Sequence, residues 1–159
     1  MESTAFTPEK VNAIMNSLSL CGGYAAVALA SLGSTIGTGL AGCAAVGAWK
    51  RCYVANKPAP FLLTVFAGAP LSQTIYAMVL MMIIKGKMDA ANPQMVFHLM
   101  LGVLAGVAFG LSALFQGKAG AAACDAYGET EKGFANFLMV LGIIETVALF
   151  VLVFAIMIL

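Results

Sequence analysis

Apolar residues run in four long stretches, 11–49, 58–84, 90–117 and 133–159, and Glu145 is the one charge that interrupts them. Each stretch exceeds the ~20 residues that a helix needs to cross a bilayer. At about 1.5 Å per residue, a helix of about 27 residues reaches roughly 40 Å, so such helices cross the hydrocarbon and protrude from it. The pattern predicts an all-α membrane protein with four transmembrane helices and no soluble domain. Three polar connections separate the helices: KRCYVANKPAP at 50–60, KGKMDAANP at 85–93 and GETEKG at 128–133. They divide the chain into an N-terminal segment (1–17), a first helical hairpin (18–86) and a second (90–159).

The two hairpins read as copies. A glycine- and alanine-rich helix, containing GSTIGTGLAGCAAVGAW in one case and FGLSALFQGKAGAAACDAYG in the other, is followed each time by a bulky helix. The offset between copies is about 80 residues for the small-residue helices, with the register open by a residue or two. For the bulky helices an offset of 72 aligns Gln73 with Glu145 and Thr74 with Thr146. The first hairpin thus carries an amide where the second carries an acid. Gly102, Gly106 and Gly110 form a GxxxGxxxG run, and Gly33 and Gly37 form GxxxG, spacings that let helix backbones approach closely. The bulky helices are then expected outside, with Leu, Ile, Met and Phe against lipid, a division that suits a ring of many hairpins.

Composition agrees with a membrane protein: 62% hydrophobic, 9% charged and a net charge of +1, which leaves too little polar surface for a soluble fold of this size. The first apolar run is too long for the h-region of a signal peptide, so the N-terminal segment, with Glu2, Glu9 and Lys10, is expected to be retained. Cys21, Cys43, Cys52 and Cys124 lack metal or redox spacing and read as small helix residues. Lys50, Arg51, Lys57, Lys118 and Lys132 lie at or near the intra-hairpin connections, against Lys10, Lys85 and Lys87 at the other ends. This distribution favours cytoplasmic hairpin loops. Trp49, Tyr53 and Tyr127 fall near that interface, and His98 near the opposite one, with no chemistry assigned to it.

Glu145 carries the chemistry. A carboxylate at bilayer depth costs roughly 2.5–3.5 kcal/mol even on the lenient insertion scale, so such residues mark ion pathways and relays. A compact four-helix secondary transporter using Glu145 for ion coupling is one reading. It predicts a small dimer and gives no reason for the duplication. A purely structural four-helix protein needs no buried acid at all.

The duplicated hairpin, the ALFQGKAGAAA tract, PLSQTIY and GIIETVAL together resemble the proteolipids (c or K) of V-type and archaeal-type rotary ATPases. The resemblance extends from about Cys21 onward. It implies a rotor ring of several copies, which works with a stator membrane subunit and central-stalk subunits in a membrane that is expected to be a prokaryotic cell membrane. The acid of the last helix, here Glu145, then binds the transported Na⁺ or H⁺. Gln73 in place of a second acid fits the V-type pattern of one site per four helices. Sodium-binding members supply a hydroxyl–amide pair, a further amide, the acid and a backbone carbonyl, matched here by Ser72, Gln73, Gln116, Glu145 and Ala69. Tyr76 matches a tyrosine that donates to the acid, and Pro70 a proline that frees backbone carbonyls. Leu71 and Thr74 depart from the family's small residues and are expected to narrow the pocket or reshape its entrance.

Taken singly, Gln116 or Ser72 is more often interhelical hydrogen-bonding glue than an ion ligand, and Tyr76 can be a packing residue with a satisfied hydroxyl. Their convergence on one acid is the specific signal. Lys118 follows Gly117, but a P-loop would need glycine at Ser112 and a hydroxyl at Ala119. Lys118 is expected instead to snorkel or to neutralise Asp125. With no nucleotide site in this chain, ATP chemistry belongs to other subunits. No cofactor besides the carried ion and no nucleic-acid partner is expected.

Overall fold

The computed structural model describes residues 7–89 and 94–159. Most of the N-terminal tip, including Glu2, and the first residues of the expected second hairpin (90–93) lie outside these. Among the described residues, four helical spans are long and apolar enough to cross a membrane. Helix α1 is Pro8–Val54. The second span comprises α2 (Leu63–Gly68), a 3₁₀ turn at Ala69–Leu71 and α3 (Ser72–Gly86). Helices α4 (Met95–Thr130) and α5 (Phe134–Ile158) complete the set.

Helix α1 is longer at both ends than the apolar pattern suggests. Thr7 caps its start by accepting from the Lys10 N–H, Pro8 occupies the first turn and Glu9 lies near the positive end of the dipole. Residues 8–17, read from the sequence as a separate segment, therefore belong to the first helix. At the other end Lys50 and Arg51 are helical, and the connection begins only after Val54. The turn between α4 and α5 depends on Gly133, whose φ of +82° is a conformation that few side chains tolerate.

Helices α1 and α4 run parallel and form the close-packed centre. Gly22 meets Gly102, Ala26 meets Gly106, Gly33 meets Gly110 and Gly37 meets Gly117. A Cβ on Gly22 would stand 2.5 Å from the His98 carbonyl oxygen, and one on Gly120 would stand 2.7 Å from that of Phe66. Backbone-to-backbone approach of this kind leaves no room for side chains. His98 lies near the start of α4, at the end of the helix expected for it, and is buried in this contact.

The second span packs antiparallel to both central helices, and α5 antiparallel to α4. Ser34 of α1 meets Thr74 of its own hairpin, and Ser112 of α4 meets the Ile144 carbonyl of its own hairpin. These serines are 78 residues apart, and the same offset superimposes Gly39 on Gly117, Ala41 on Ala119 and Gly42 on Gly120. The structure thus sets the register of the small-residue helices at 78.

Two apolar clusters fill the bundle. One gathers Leu80, Ile84, Phe109 and Ala148, and the other gathers Leu63, Phe66, Cys124 and Leu141. Around Phe66 the rings of Tyr127, Phe134 and Phe137 pack at centroid distances of 5.2–6.2 Å. Arg51 pairs with Asp125 at the hairpin-loop end. This corrects one of the two expectations for Lys118, the pairing with Asp125, because Arg51 on the neighbouring helix faces that acid directly; Lys118 lies over the Phe115 ring at 5.1 Å.

Gly120→Val is expected to lower the unfolding temperature of the detergent-solubilised protein sharply, as an overpacking change that costs about 1–3 kcal/mol or more. Gly47→Ala, where a Cβ would meet nothing within 4 Å, should be neutral or slightly stabilising.

Candidate functional site

Between the two apolar clusters lies one polar layer, contributed by α3, α4 and α5. Its position follows from local sequence. Pro70 has no N–H, so the chain tightens into the 3₁₀ turn Ala69–Leu71 before α3 restarts at Ser72. The turn leaves the Ala69 carbonyl accepting from both the Ser72 N–H and the Ser72 hydroxyl, the latter at 3.1 Å. Pro70 itself is buried against Gly37 of α1.

From Ala69 a single chain of contacts leads to the acid. The Ser72 hydroxyl also reaches Gln73 Oε1 at 3.3 Å. Gln73 Nε2 donates to Gln116 Oε1 at 2.8 Å and approaches Ser112 Oγ at 3.4 Å. Gln116 Nε2 donates to the Leu141 carbonyl at 3.1 Å and to Glu145 Oε2 at 3.2 Å. The other carboxylate oxygen, Oε1, accepts from the Tyr76 hydroxyl. Gln73 and Gln116 are fully buried, whereas Ser72, Tyr76 and Glu145 are partly buried.

The arrangement satisfies the amides and fixes the carboxylate. Unpaired buried polar groups cost about 1–3 kcal/mol each, and here both glutamines find partners at the donor and acceptor ends. Tyr76 and Gln116 place one donor at each carboxylate oxygen, so the direction of Glu145 is set from two helices. Five oxygen-bearing groups lie along the network: the Ala69 carbonyl, Ser72 Oγ, Gln73 Oε1, Gln116 Oε1 and the Glu145 carboxylate. An all-oxygen set of this kind suits a hard cation.

All seven residues singled out from the sequence fall in or beside this layer. Leu71 and Thr74 stand apart from it. Thr74 donates to Ser34 Oγ at 2.9 Å, towards α1, and Leu71 is exposed, so neither joins the hydrogen bonds around Glu145. Two members escaped the sequence reading, Ser112 and the Leu141 carbonyl. Ser112 lies four residues before Gln116 and Leu141 four before Glu145, one turn back on the same helix face, and this spacing was the available signal. Among the described residues no group of three or more His, Cys, Asp or Glu side chains gathers as a metal cluster.

Residues 99–158, which include Ser112, Gln116 and Glu145, match the family of the ATP synthase C subunits. The A-type ATP synthase subunit K of Methanocaldococcus jannaschii is 33% identical over 143 residues, a stretch that covers 89% of this chain and 61% of that protein. The chain therefore spans about three fifths of the length of this relative. The alignment reaches into all four spans, so the chain is similar over most of its length to the K subunit of an A-type ATP synthase, and its last two spans match the C-subunit family.

Proposed function

We propose that the chain is the ion-carrying unit of a membrane rotor ring, and that its ion is Na⁺, held by Glu145, Gln116, Gln73, Ser72 and the Ala69 carbonyl. The observation that carries this reading is the unbroken network from Ala69 to Glu145 across three helices. Two of its separations, 3.1 and 3.3 Å about Ser72 Oγ, already bring three oxygens close together. Na⁺ would replace the Ser72 and Gln73–Gln116 hydrogen bonds with ion–oxygen contacts. Tyr76 and the Gln116 amide would keep their hold on the carboxylate. A proton is the alternative ion; it needs only the carboxyl and gives the amides no ligand role.

Coupling follows from the cost of bare charge in hydrocarbon. An empty, anionic Glu145 cannot face lipid, whereas a filled site is neutral and can. The ring then turns through lipid only with occupied sites and exchanges ions where a stator subunit offers a polar path. Each unit charge that crosses is worth about 2.3 kcal/mol per 100 mV, so several crossings are needed for one ATP. ATP hydrolysis or synthesis takes place in partner subunits and reaches this one through the central stalk. A prokaryotic cell membrane is the setting in keeping with the A-type relative.

Carbodiimide labelling of Glu145 in the purified assembly, at fixed mildly acidic pH and constant total salt, should slow when Na⁺ replaces K⁺. Labelling that responds to pH alone would make this a proton ring. Tyr76→Phe removes a group that orients the carboxylate without touching the ion. It should raise the Na⁺ concentration for half-protection by roughly 10–100-fold while leaving protection complete at saturation. In the assembled ATPase, Glu145→Gln should abolish ion-coupled hydrolysis; coupled activity in that variant would contradict the mechanism.

A further inference from the structure

The two buried amides of the polar layer are fixed by different groups. Gln116 Nε2 donates to the Leu141 carbonyl at 3.1 Å, a group that only accepts, so Gln116 Oε1 is turned towards Gln73. Gln73 Nε2 has two hydrogens and meets two acceptors, Gln116 Oε1 at 2.8 Å and Ser112 Oγ at 3.4 Å. Ser112 is an acceptor here because its own proton is committed elsewhere: it donates at 3.1 Å to the carbonyl of Ile144, the residue before Glu145. One buried hydroxyl therefore links the Gln73 amide to the backbone of the helix that carries the acid.

The two acceptors of Gln73 cease to be equivalent once the site is filled. In the Na⁺ reading, on which this inference rests, Gln116 Oε1 turns from the Gln73 amide to the ion, and Gln73 Oε1 becomes a ligand as well. Gln73 Nε2 then keeps Ser112 Oγ as its acceptor. A proton makes no such demand, because it needs only the Glu145 carboxyl and leaves the bond between Gln73 and Gln116 in place. We infer that Ser112 is a positioning residue that favours Na⁺ over H⁺. It holds the Gln73 amide with its oxygen towards the ion in the filled site and contributes little to the empty or protonated one. Without it the filled site leaves a buried N–H unpaired, a penalty that falls on Na⁺ binding alone.

The internal duplication supplies a comparison. Ser34 is the duplicate of Ser112 at the offset of 78, and it too makes an interhelical hydrogen bond, accepting from Thr74 Oγ1 at 2.9 Å. Thr74 makes no hydrogen bond to the residues around Glu145, so Ser34 serves the packing of its hairpin and has no link to the ion. The two serines separate the loss of a hydrogen bond between helices from the loss of an amide's orientation. A conservative change is also available at Ser112. It borders a groove lined by Ala108, Phe115, Ile144 and Val147, which leaves room for one added methyl group.

Carbodiimide labelling of Glu145 in the membrane-embedded assembly tests this when it is read twice, against Na⁺ at fixed pH and against pH in the absence of Na⁺. Ser112→Ala should raise the Na⁺ concentration for half-protection by roughly 10-fold or more, the effect of one buried donor left without a partner. The pH midpoint of labelling without Na⁺ should not move. Ser112→Thr, which keeps the hydroxyl, should restore half-protection to that of the unmodified protein, and Ser34→Ala should match the unmodified protein in both readings. Unchanged Na⁺ protection in Ser112→Ala, a joint shift of its Na⁺ and pH midpoints, or an equal loss in Ser112→Thr or Ser34→Ala would overturn the role of Ser112 and leave the Na⁺ site standing. Absence of Na⁺ protection in the unmodified protein would overturn both.

Discussion

A carboxyl group set among apolar helices must be held by hydrogen bonds or neutralised, and the architecture around Glu145 meets that constraint. Tyr76 and Gln116 supply one donor to each oxygen. Gln116 is in turn oriented by Gln73 and the Leu141 carbonyl, and Gln73 by Ser72 and Ser112. The steps through the two buried amides need partners at 2.8–3.4 Å, which tolerates little sliding of one helix against another. Low local polarity strengthens each satisfied bond and penalises each broken one, so the layer behaves as a unit.

The glycine contacts between α1 and α4 provide the needed rigidity. Because these helices touch through backbone, their relative height is fixed by hard contacts and not by flexible side chains. The second span is then seated by Pro70 against Gly37 and by Thr74 against Ser34. Helix α5 is placed by Leu141 and Ala148, which sit in the two apolar clusters on either side of Glu145. The site is therefore positioned by packing above and below it, and its own hydrogen bonds need only complete the geometry.

Much of this was legible from residues alone. Four long apolar stretches and the one acid inside them gave the spans and the centre of the candidate site, because a charge in hydrocarbon is too costly to be incidental. Gln73 was legible as the duplicate of Glu145, whereas Gln116 stood out only through the family resemblance. Ser112 was not, since one hydroxyl on a small-residue helix is indistinguishable from packing until its neighbour is known. Helix ends were also misplaced. Lys50 and Arg51 look like loop residues by charge, but α1 continues to Val54, and Arg51 finds Asp125 across the helix pair. The role of Thr74 could not be read either, because its partner, Ser34, lies forty residues away on another helix.

The claim that most needs a direct test is that this layer holds an ion. Equilibrium binding of radioactive Na⁺ to the purified assembly, counted per chain, addresses it without reference to turnover. The account predicts one saturable Na⁺ per chain, lost on Glu145→Gln. Absence of saturable Na⁺ binding in the unmodified protein, or an unchanged count in the variant, would contradict it.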